Sequence, residues 1–249
     1  MHLLRHRKIP REHDAYLEEM KMKFAKRMDR FGEGIFSRLA EIKNKRISEG
    51  KEVIDAEGRY AAPGFIDSHL HLESTLVTPA ELVTAASRHG TTTFIVDPHE
   101  SANVSGLAGV DYILDQTENV KANVYIMMPS CVPATAIDDN GCTLTAGDMA
   151  PYLHNSRILG LGEVMDSISV VQGEKSMHDK LELFEGRIRD GHAPFLEEGD
   201  LQAYAMAGIA TDHECSFFDY AMRERRNGLT ILVREGSAAR NLEALVGGL

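Results

Sequence analysis

The chain has 249 residues, of which 43% are hydrophobic and 26% are charged, as in an ordinary soluble globular protein. Its formal net charge of −11 argues against nucleic acid as a partner, because phosphate binding needs a basic surface. No apolar run approaches the roughly 20 residues of a membrane span, so we expect no membrane partner. Three cysteines without C-x-x-C spacing indicate a reducing, cytoplasmic setting without disulfides.

The first 50 residues differ from the rest in charge, with 13 Lys or Arg against 8 Asp or Glu. Residues 12–30 place apolar side chains four apart among charged ones, which predicts an amphipathic helix. Gly32, Gly34 and the polar run 43–51 indicate a hinge or linker. We therefore predict a charged helical extension and linker over residues 1–50 and a separate domain over residues 51–249.

From residue 64 onward, strand and helix patterns alternate regularly. Strands are predicted at 64–71, 91–97, 123–128, 158–164, 187–191, 208–212 and 229–234. Helices are predicted at 79–89, 107–117, 146–154, 176–184, 198–207 and 216–226. This alternation predicts an α/β fold with a parallel sheet. We predict a TIM-like (β/α)₈ barrel with seven strands visible and incomplete at its C-terminus; a doubly wound sheet is the alternative.

Residues of the types that bind metals follow the predicted strands at intervals of roughly 30 residues, which is the length of one βα unit. His69 and His71 stand two apart on the first strand, so both rings lie on one face and can chelate one ion. His192 and His213 follow the fifth and sixth strands. Because catalytic side chains of such barrels sit at the C-terminal ends of strands, we expect these histidines to converge as metal ligands.

Glu163 ends the fourth predicted strand, where Gly160 and Gly162 leave space around it. A carboxylate buried there needs a partner, and a cation would supply one. Placed between two ions, its two oxygens could bridge them. With the four histidines it would then form a binuclear centre that activates a water molecule. A carboxylate paired with Arg or Lys is the structural alternative.

Further polar residues stand at or near strand ends. His99 and Glu100 follow the second strand and could orient substrate, transfer protons or support the metal ligands. Position alone suggests substrate-binding roles for Glu73, Ser130, Glu214 and Arg234. We interpret Cys131 as a buried structural thiol. The sequence contains no G-x-G-x-x-G, P-loop or G-x-S-x-G motif.

Several strings resemble a known family. PGFIDSHLHLES followed by GTTTFIVDPHE resembles the metal-dependent amidohydrolase superfamily. DPHESANVSGL, MPSCVPAT, ILGLGEVM, DGHAP, AGIATDHE and REGSAARNLEAL are similar to the adenine deaminases within it. The similarity extends from about residue 53 to the C-terminus.

The resemblance implies hydrolytic deamination of adenine to hypoxanthine and ammonia by a metal-activated hydroxide, as in purine salvage. It implies a binuclear divalent centre, with Mn or Fe preferred to Zn, held by His69, His71, His192, His213 and a bridging Glu163. Glu163, His99 and Glu100 are the candidate catalytic residues, and a purine base is the expected partner; the chain could also form a homo-oligomer.

Two departures from the family leave other functions open. The family's catalytic Asp follows strand eight, which lies beyond the last residue, and the usual N-terminal strands are replaced by a charged helical segment. We therefore expect a truncated member with impaired activity as one outcome. The alternatives are cyclic amide hydrolysis, N-acetyl amino-sugar deacetylation, or a catalytically inactive metal-binding fragment.

Overall fold

The computed structural model describes residues 35–51, 54, 57–135 and 137–247. The chain divides into two compact units, Met1–Ala62 and Pro63–Leu249. The helix predicted over residues 12–30 lies outside the described residues. Within the described part of the chain, no helix is long and apolar enough to cross a membrane.

The described part of the first unit contains one helix, α1 (Ile35–Ser48). Gly50 follows its end with a left-handed φ of 74°, and the backbone N–H groups of Gly50 and Lys51 donate to the backbone O atoms of Ile47 and Arg46. A helix therefore occupies residues 43–48 of the run in which the sequence indicated a hinge or linker. Lys, Arg and Glu are good helix formers, and no Gly or Pro interrupts the run before Gly50.

The second unit is an α/β fold whose five parallel strands curl into half of a barrel. The strands lie in chain order: β1 (Phe65–Leu70), β2 (Thr91–Val96), β3 (Asn123–Met128), β4 (Ile158–Val164) and β5 (Ile188–Gly191). Two shorter parallel strands follow, β6 (Thr211–Asp212) and β7 (Thr230–Ile231). The backbone N–H of Ala210 donates to Arg189 O at 2.9 Å, which continues the order from β5 to β6. The predicted partial barrel is confirmed.

Helices follow most strands of this unit. They are α2 (Pro79–Ser87), α3 (His99–Ser105), α4 (Leu107–Gln116), α5 (Ala146–Met149), α6 (Ser167–Gln172), α7 (Lys175–Leu183), α8 (Glu198–Met206), α9 (Phe218–Arg226) and α10 (Leu242–Val246). Helix α2 shows why they begin where they do. The Thr78 side chain accepts a hydrogen bond from Glu81 N, and Pro79 occupies the first turn, where no N–H partner is needed.

The core lies between the sheet and the helices. Strands β3 and β4 are buried almost throughout, so they are nearly continuous apolar runs, as expected of parallel strands covered on both faces. Their predicted limits are confirmed at both ends. Strands β6 and β7 are only two residues each, shorter than predicted. The helices α3 and α6 were not predicted, because each is short and lacks a long apolar stripe.

Candidate metal centre

The parallel strands bring their carboxyl ends, and the residues found there, to one edge of the sheet. His69 lies in β1 and His71 directly after it. Glu163 lies near the end of β4, His192 directly follows β5, and His213 directly follows β6. Residues that are up to 144 positions apart in the sequence are therefore neighbours at this edge.

The Glu163 carboxylate stands at the centre of this group, and its two oxygens face different histidines. Oε1 lies 3.0 Å from the Nε2 atoms of His69 and of His71, and these two nitrogens are 3.2 Å apart. Oε2 lies 2.9 Å from His192 Nδ1 and 3.6 Å from His213 Nε2. The His69 and His213 rings are stacked with their centroids 3.7 Å apart, so the two histidine pairs are in contact.

The outer nitrogens of the first pair are held by acceptors. His71 Nδ1 lies 2.8 Å from the backbone O of Asp97, and His69 Nδ1 lies 2.9 Å from Asp190 Oδ2. Each Nδ1 therefore carries a hydrogen, so a neutral ring directs its Nε2 lone pair toward Glu163 Oε1. Lone pairs and a carboxylate oxygen that converge in this way repel one another unless a cation lies between them.

The donor set fits a divalent metal ion. Donor atoms about 2.1 Å from a common ion lie roughly 3.0–3.4 Å from one another in octahedral or tetrahedral geometry. The 3.0–3.2 Å separations among His69 Nε2, His71 Nε2 and Glu163 Oε1 match this range. In addition, Glu163 Oε1 is buried and accepts no hydrogen bond. The groups His69–His71–Glu163 and Glu163–His192–His213 each bring ligand atoms within 4.8 Å of one another.

The pKa shifts show that this position favours positive charge. Burial opposes protonation of His69 and His71, but the carboxylates beside them outweigh it and raise the pKa to about 10 for His69 and about 9 for His71. The pKa of His192 is also raised, against burial, by Glu163. Burial opposes ionisation of Glu163, but the four histidines around its carboxylate outweigh it and lower the pKa of Glu163 far below its usual value.

Asp97 and Asp190 were not predicted as site residues, although both precede residues that were. Asp97 directly follows β2 and is buried; its Oδ2 accepts a hydrogen bond from Glu163 N at 2.7 Å. A Cβ atom at Gly162 would overlap this carboxylate, so glycine is needed there. Asp190 lies in β5 and accepts hydrogen bonds from Thr211 as well as His69. Their place in the strings DPHE and DGH, two residues before His99 and His192, could have indicated both aspartates.

Lys180 and Tyr204 are two further residues that were not predicted, and both hold strand ends together. Lys180 Nζ donates to the backbone O of Ser130 at 2.7 Å, and Ser130 Oγ donates to the backbone O of Glu163. Tyr204 Oη donates to Val164 O at 2.6 Å and accepts from His192 N at 2.9 Å. Lys180 and Tyr204 both lie on helices, and no local sequence pattern predicts their contacts with the strand ends.

His99 and Glu100 form the first turn of α3, beside the histidine pair of β1. The His99 ring stacks on His71 at 4.6 Å, and its Nδ1 lies 3.1 Å from Cys131 Sγ. Burial lowers the pKa of His99 and raises that of the Cys131 thiol. Among the described residues, His99 does not belong to a convergent group of metal-type ligands. Glu100 is exposed and accepts a hydrogen bond from Ser74 Oγ.

The remaining predicted residues fall in three places. Glu73 Oε1 accepts hydrogen bonds from the backbone N–H groups of Glu100 and Ser101, at 3.1 and 3.5 Å, so it caps α3. Glu214 pairs with Arg234 through two contacts, and its Oε1 lies 3.6 Å from His213 Nε2 and 3.8 Å from His192 Nδ1. The buried Ser130 hydroxyl is committed to Glu163 O.

Comparisons with known proteins identify the family of this chain. The chain belongs to the amidohydrolase family, whose model matches residues 60–240. This membership confirms the resemblance that the sequence strings indicated, and it implies a divalent metal centre.

The relatives are similar over most of this chain. It is 53% identical over 236 residues to adenine deaminase from Desulfitobacterium hafniense, which covers 93% of this chain and 42% of that protein. It is 46% identical over 203 residues to adenine deaminase from Clostridium acetobutylicum, with coverage of 81% and 36%. The corresponding protein of Kosmotoga olearia is 45% identical over 227 residues, with coverage of 90% and 39%. The chain thus spans less than half the length of these relatives.

Proposed function

We propose that the chain carries the metal centre of a hydrolase that deaminates adenine to hypoxanthine and ammonia. The observation that carries the proposal is the Glu163 carboxylate, whose two oxygens face two separate histidine pairs. Family membership supports hydrolysis of a C–N bond, and the names of the relatives support adenine as the substrate. One water is consumed: a C–O bond replaces the C–N bond, and the amino group leaves as ammonia.

We further propose two divalent ions that share Glu163. His69 and His71 would hold one ion with Oε1, and His192 and His213 would hold the other with Oε2. The donors of this centre are imidazoles and a carboxylate, without a thiolate. Such a set suits Mn²⁺ or Fe²⁺, whereas many zinc sites are rich in cysteine. When bound, such ions lower the pKa of a water molecule and stabilise developing negative charge.

The surrounding residues orient these ligands. The Asp97 carbonyl and the Asp190 carboxylate hold His71 and His69 with their Nε2 atoms toward Glu163. The Asp97 carboxylate fixes the Glu163 backbone, and Ser130 fixes the same residue from the β3 side. These contacts keep the Glu163 side chain between the two histidine pairs.

We assign substrate-related roles to the residues around the centre. His99 stays neutral because burial lowers its pKa, and its Nε2 remains to exchange a proton while Nδ1 contacts Cys131. Glu100 directly follows His99, and its backbone N–H donates to Glu73 Oε1, so these two glutamates lie on the His99 side of the centre. Glu214, oriented by Arg234, lies next to His192 and His213 and could bind the polar edge of a purine. Ser130 would act by positioning β4.

The test is a turnover assay of the purified full chain, stripped of metal and reloaded with Mn²⁺, Fe²⁺ or Zn²⁺. We expect loss of adenine with equimolar hypoxanthine and ammonia after loading with Mn²⁺ or Fe²⁺, and no reaction in chelator. Stoichiometric metal binding without turnover would contradict the proposed reaction. Hydrolysis of a cyclic amide or an N-acetyl amino sugar, but not of adenine, would assign the centre to another reaction of the family.

A further inference from the structure

A second group of metal-type side chains lies between β6 and α9. It consists of Asp212, Cys215 and Glu224, which come from the end of β6, the loop after it and the last part of α9. One ligand atom from each residue lies within 4.8 Å of the others, and all three residues are buried. None of them belongs to the groups around Glu163.

Asp212 is held in place by the backbone. Its Oδ1 accepts a hydrogen bond from Ala193 N at 2.6 Å, and its Oδ2 accepts from Glu214 N at 2.8 Å and Cys215 N at 2.9 Å. Its two oxygens retain acceptor capacity for one more partner. Asp212 is thus an oxygen donor that the backbone holds in a fixed position.

Glu224 points into the same space, and its polar neighbours there are Asp212 and Cys215. Its side chain is fully buried, and among the described residues no group outside this cluster hydrogen-bonds to its carboxylate oxygens. The neighbouring Arg223 is used elsewhere, because its Nη2 donates to Leu196 O and its guanidinium carbon lies 5.0 Å from the Tyr220 ring centre. Among the described residues, no basic side chain lies within ion-pair distance of Glu224 or Asp212.

The surroundings of Glu224 raise its pKa. Burial, followed by the charge of Asp212, raises the pKa of Glu224 to about 9. The cluster therefore places two carboxylates and a thiol together in one buried space.

We propose that Asp212, Cys215 and Glu224 bind a divalent cation of the zinc type, at a site separate from the centre around Glu163. A thiolate with two carboxylates suits Zn²⁺, which binds sulfur and oxygen donors in tetrahedral geometry and accepts water as a fourth ligand. Binding releases the thiol proton, and the resulting negative charges are then compensated by the ion. The ion would link α9 to the loop that carries His213 and Glu214, so its role is to position that loop.

The test uses Co²⁺ as a spectroscopic substitute for Zn²⁺ in the full chain after removal of other metals. A thiolate bound to Co²⁺ gives a charge-transfer band in the near ultraviolet, which imidazole and carboxylate ligands do not give. We expect the intensity of this band at saturation to correspond to one thiolate-bound Co²⁺ per chain, and we expect Zn²⁺ to displace it. X-ray absorption at the cobalt edge should show a sulfur neighbour at about 2.3 Å. Neither measurement depends on activity, so failure of the proposed function would not affect them.

Variants then locate the thiolate. Cys215→Ser should abolish the band, and Glu224→Gln, which keeps the thiol, should weaken Co²⁺ binding at this site at least about tenfold. The matched control is Cys131→Ser, which removes the buried thiol beside His99 and should leave the band unchanged. Absence of the band and of the sulfur signal from the unmodified chain would overturn the proposal in favour of a protonated Glu224 that donates to Asp212. A band that survives Cys215→Ser or disappears with Cys131→Ser would overturn it as well.

Discussion

Glu163 and Glu224 are both fully buried glutamates, yet their surroundings have opposite effects on their charge. Four histidine side chains surround Glu163, and together they lower its pKa despite burial. Glu224 faces another carboxylate and a thiol, and burial with Asp212 raises its pKa to about 9. The difference shows that burial alone does not determine ionisation. The groups that the fold places around each carboxylate decide it.

The positions of the two residues explain why their neighbours differ. Glu163 stands at the end of a central strand, where strands on both sides deliver histidines to the same edge. Glu224 stands on α9 and meets only the end of β6 and the loop after it. Each place favours a cation, but the donor sets differ, with imidazole around Glu163 and a thiol beside Glu224.

The largest expected effect is that of Glu163→Gln. The amide keeps the shape but loses the charge that both histidine pairs face, so turnover should fall by roughly 10³-fold or more. Adenine turnover and bound Mn²⁺ should be measured together, and both should decrease. Glu185→Gln, at an exposed position, is the matched control and should change neither. Full activity of the Glu163 variant would show that this carboxylate does not organise the centre.

A smaller effect is expected for Asp190→Asn. The Asp190 carboxylate accepts from His69 Nδ1, and an amide nitrogen placed there would favour the wrong tautomer of the ring. Metal affinity should decrease by roughly 10- to 100-fold, as measured by competition with a chelating dye. The Co²⁺ band assigned to Cys215 should not change, since Asp190 does not belong to that cluster. Loss of both sites together would indicate general misfolding and would remove the distinction between the two regions.

The smallest effect is a pH-dependent change in stability for Glu224→Gln in chelator. The pKa of Glu224 is about 9 in the folded chain and 4.5 for the free side chain. Glu224 therefore lowers the free energy of unfolding increasingly as pH rises from about 4.5 toward 9. The variant and the unmodified chain should have equal free energies of unfolding near pH 4.5. At pH 8 the free energy of unfolding of the variant should be higher by at least about 1 kcal/mol.

This change in stability can be measured by urea unfolding at both pH values. An increase in melting temperature of roughly 2–4 °C at pH 8 is the equivalent thermal result. Glu185→Gln should show no such dependence on pH. A variant that is less stable than the unmodified chain at pH 8 would mean that Glu224 is ionised and stabilised by a partner in the fold.

The sequence predicted the strands best where they are central. Apolar runs define β3 and β4 because both faces of a parallel sheet are covered, and their limits agree with the structure. Strands β6 and β7 were predicted too long, because their apolar residues continue beyond the segment that is paired. The helix α3 was not predicted, because its polar sequence follows a strand end where a loop is the usual expectation.

The candidate metal centre was predicted in part. Strand-end spacing indicated His69, His71, Glu163, His192 and His213, and the structure brings these side chains together. Their assignment as ligands stays a prediction until a metal is bound. The supporting contacts of Asp97, Asp190, Lys180 and Tyr204 were not predicted, because each joins residues that only the folded sheet brings within reach.

The sequence by itself determined the repeated βα pattern, the family and the residue types at each strand end, because periodicity and motifs are local properties of the chain. Only the tertiary structure decided which oxygen of Glu163 faces which histidine pair, and that Glu224 meets Asp212 and Cys215. The physical reason is that distances and ionisation depend on groups far apart in sequence. Parallel strand ends gather these groups into one buried, weakly screened space.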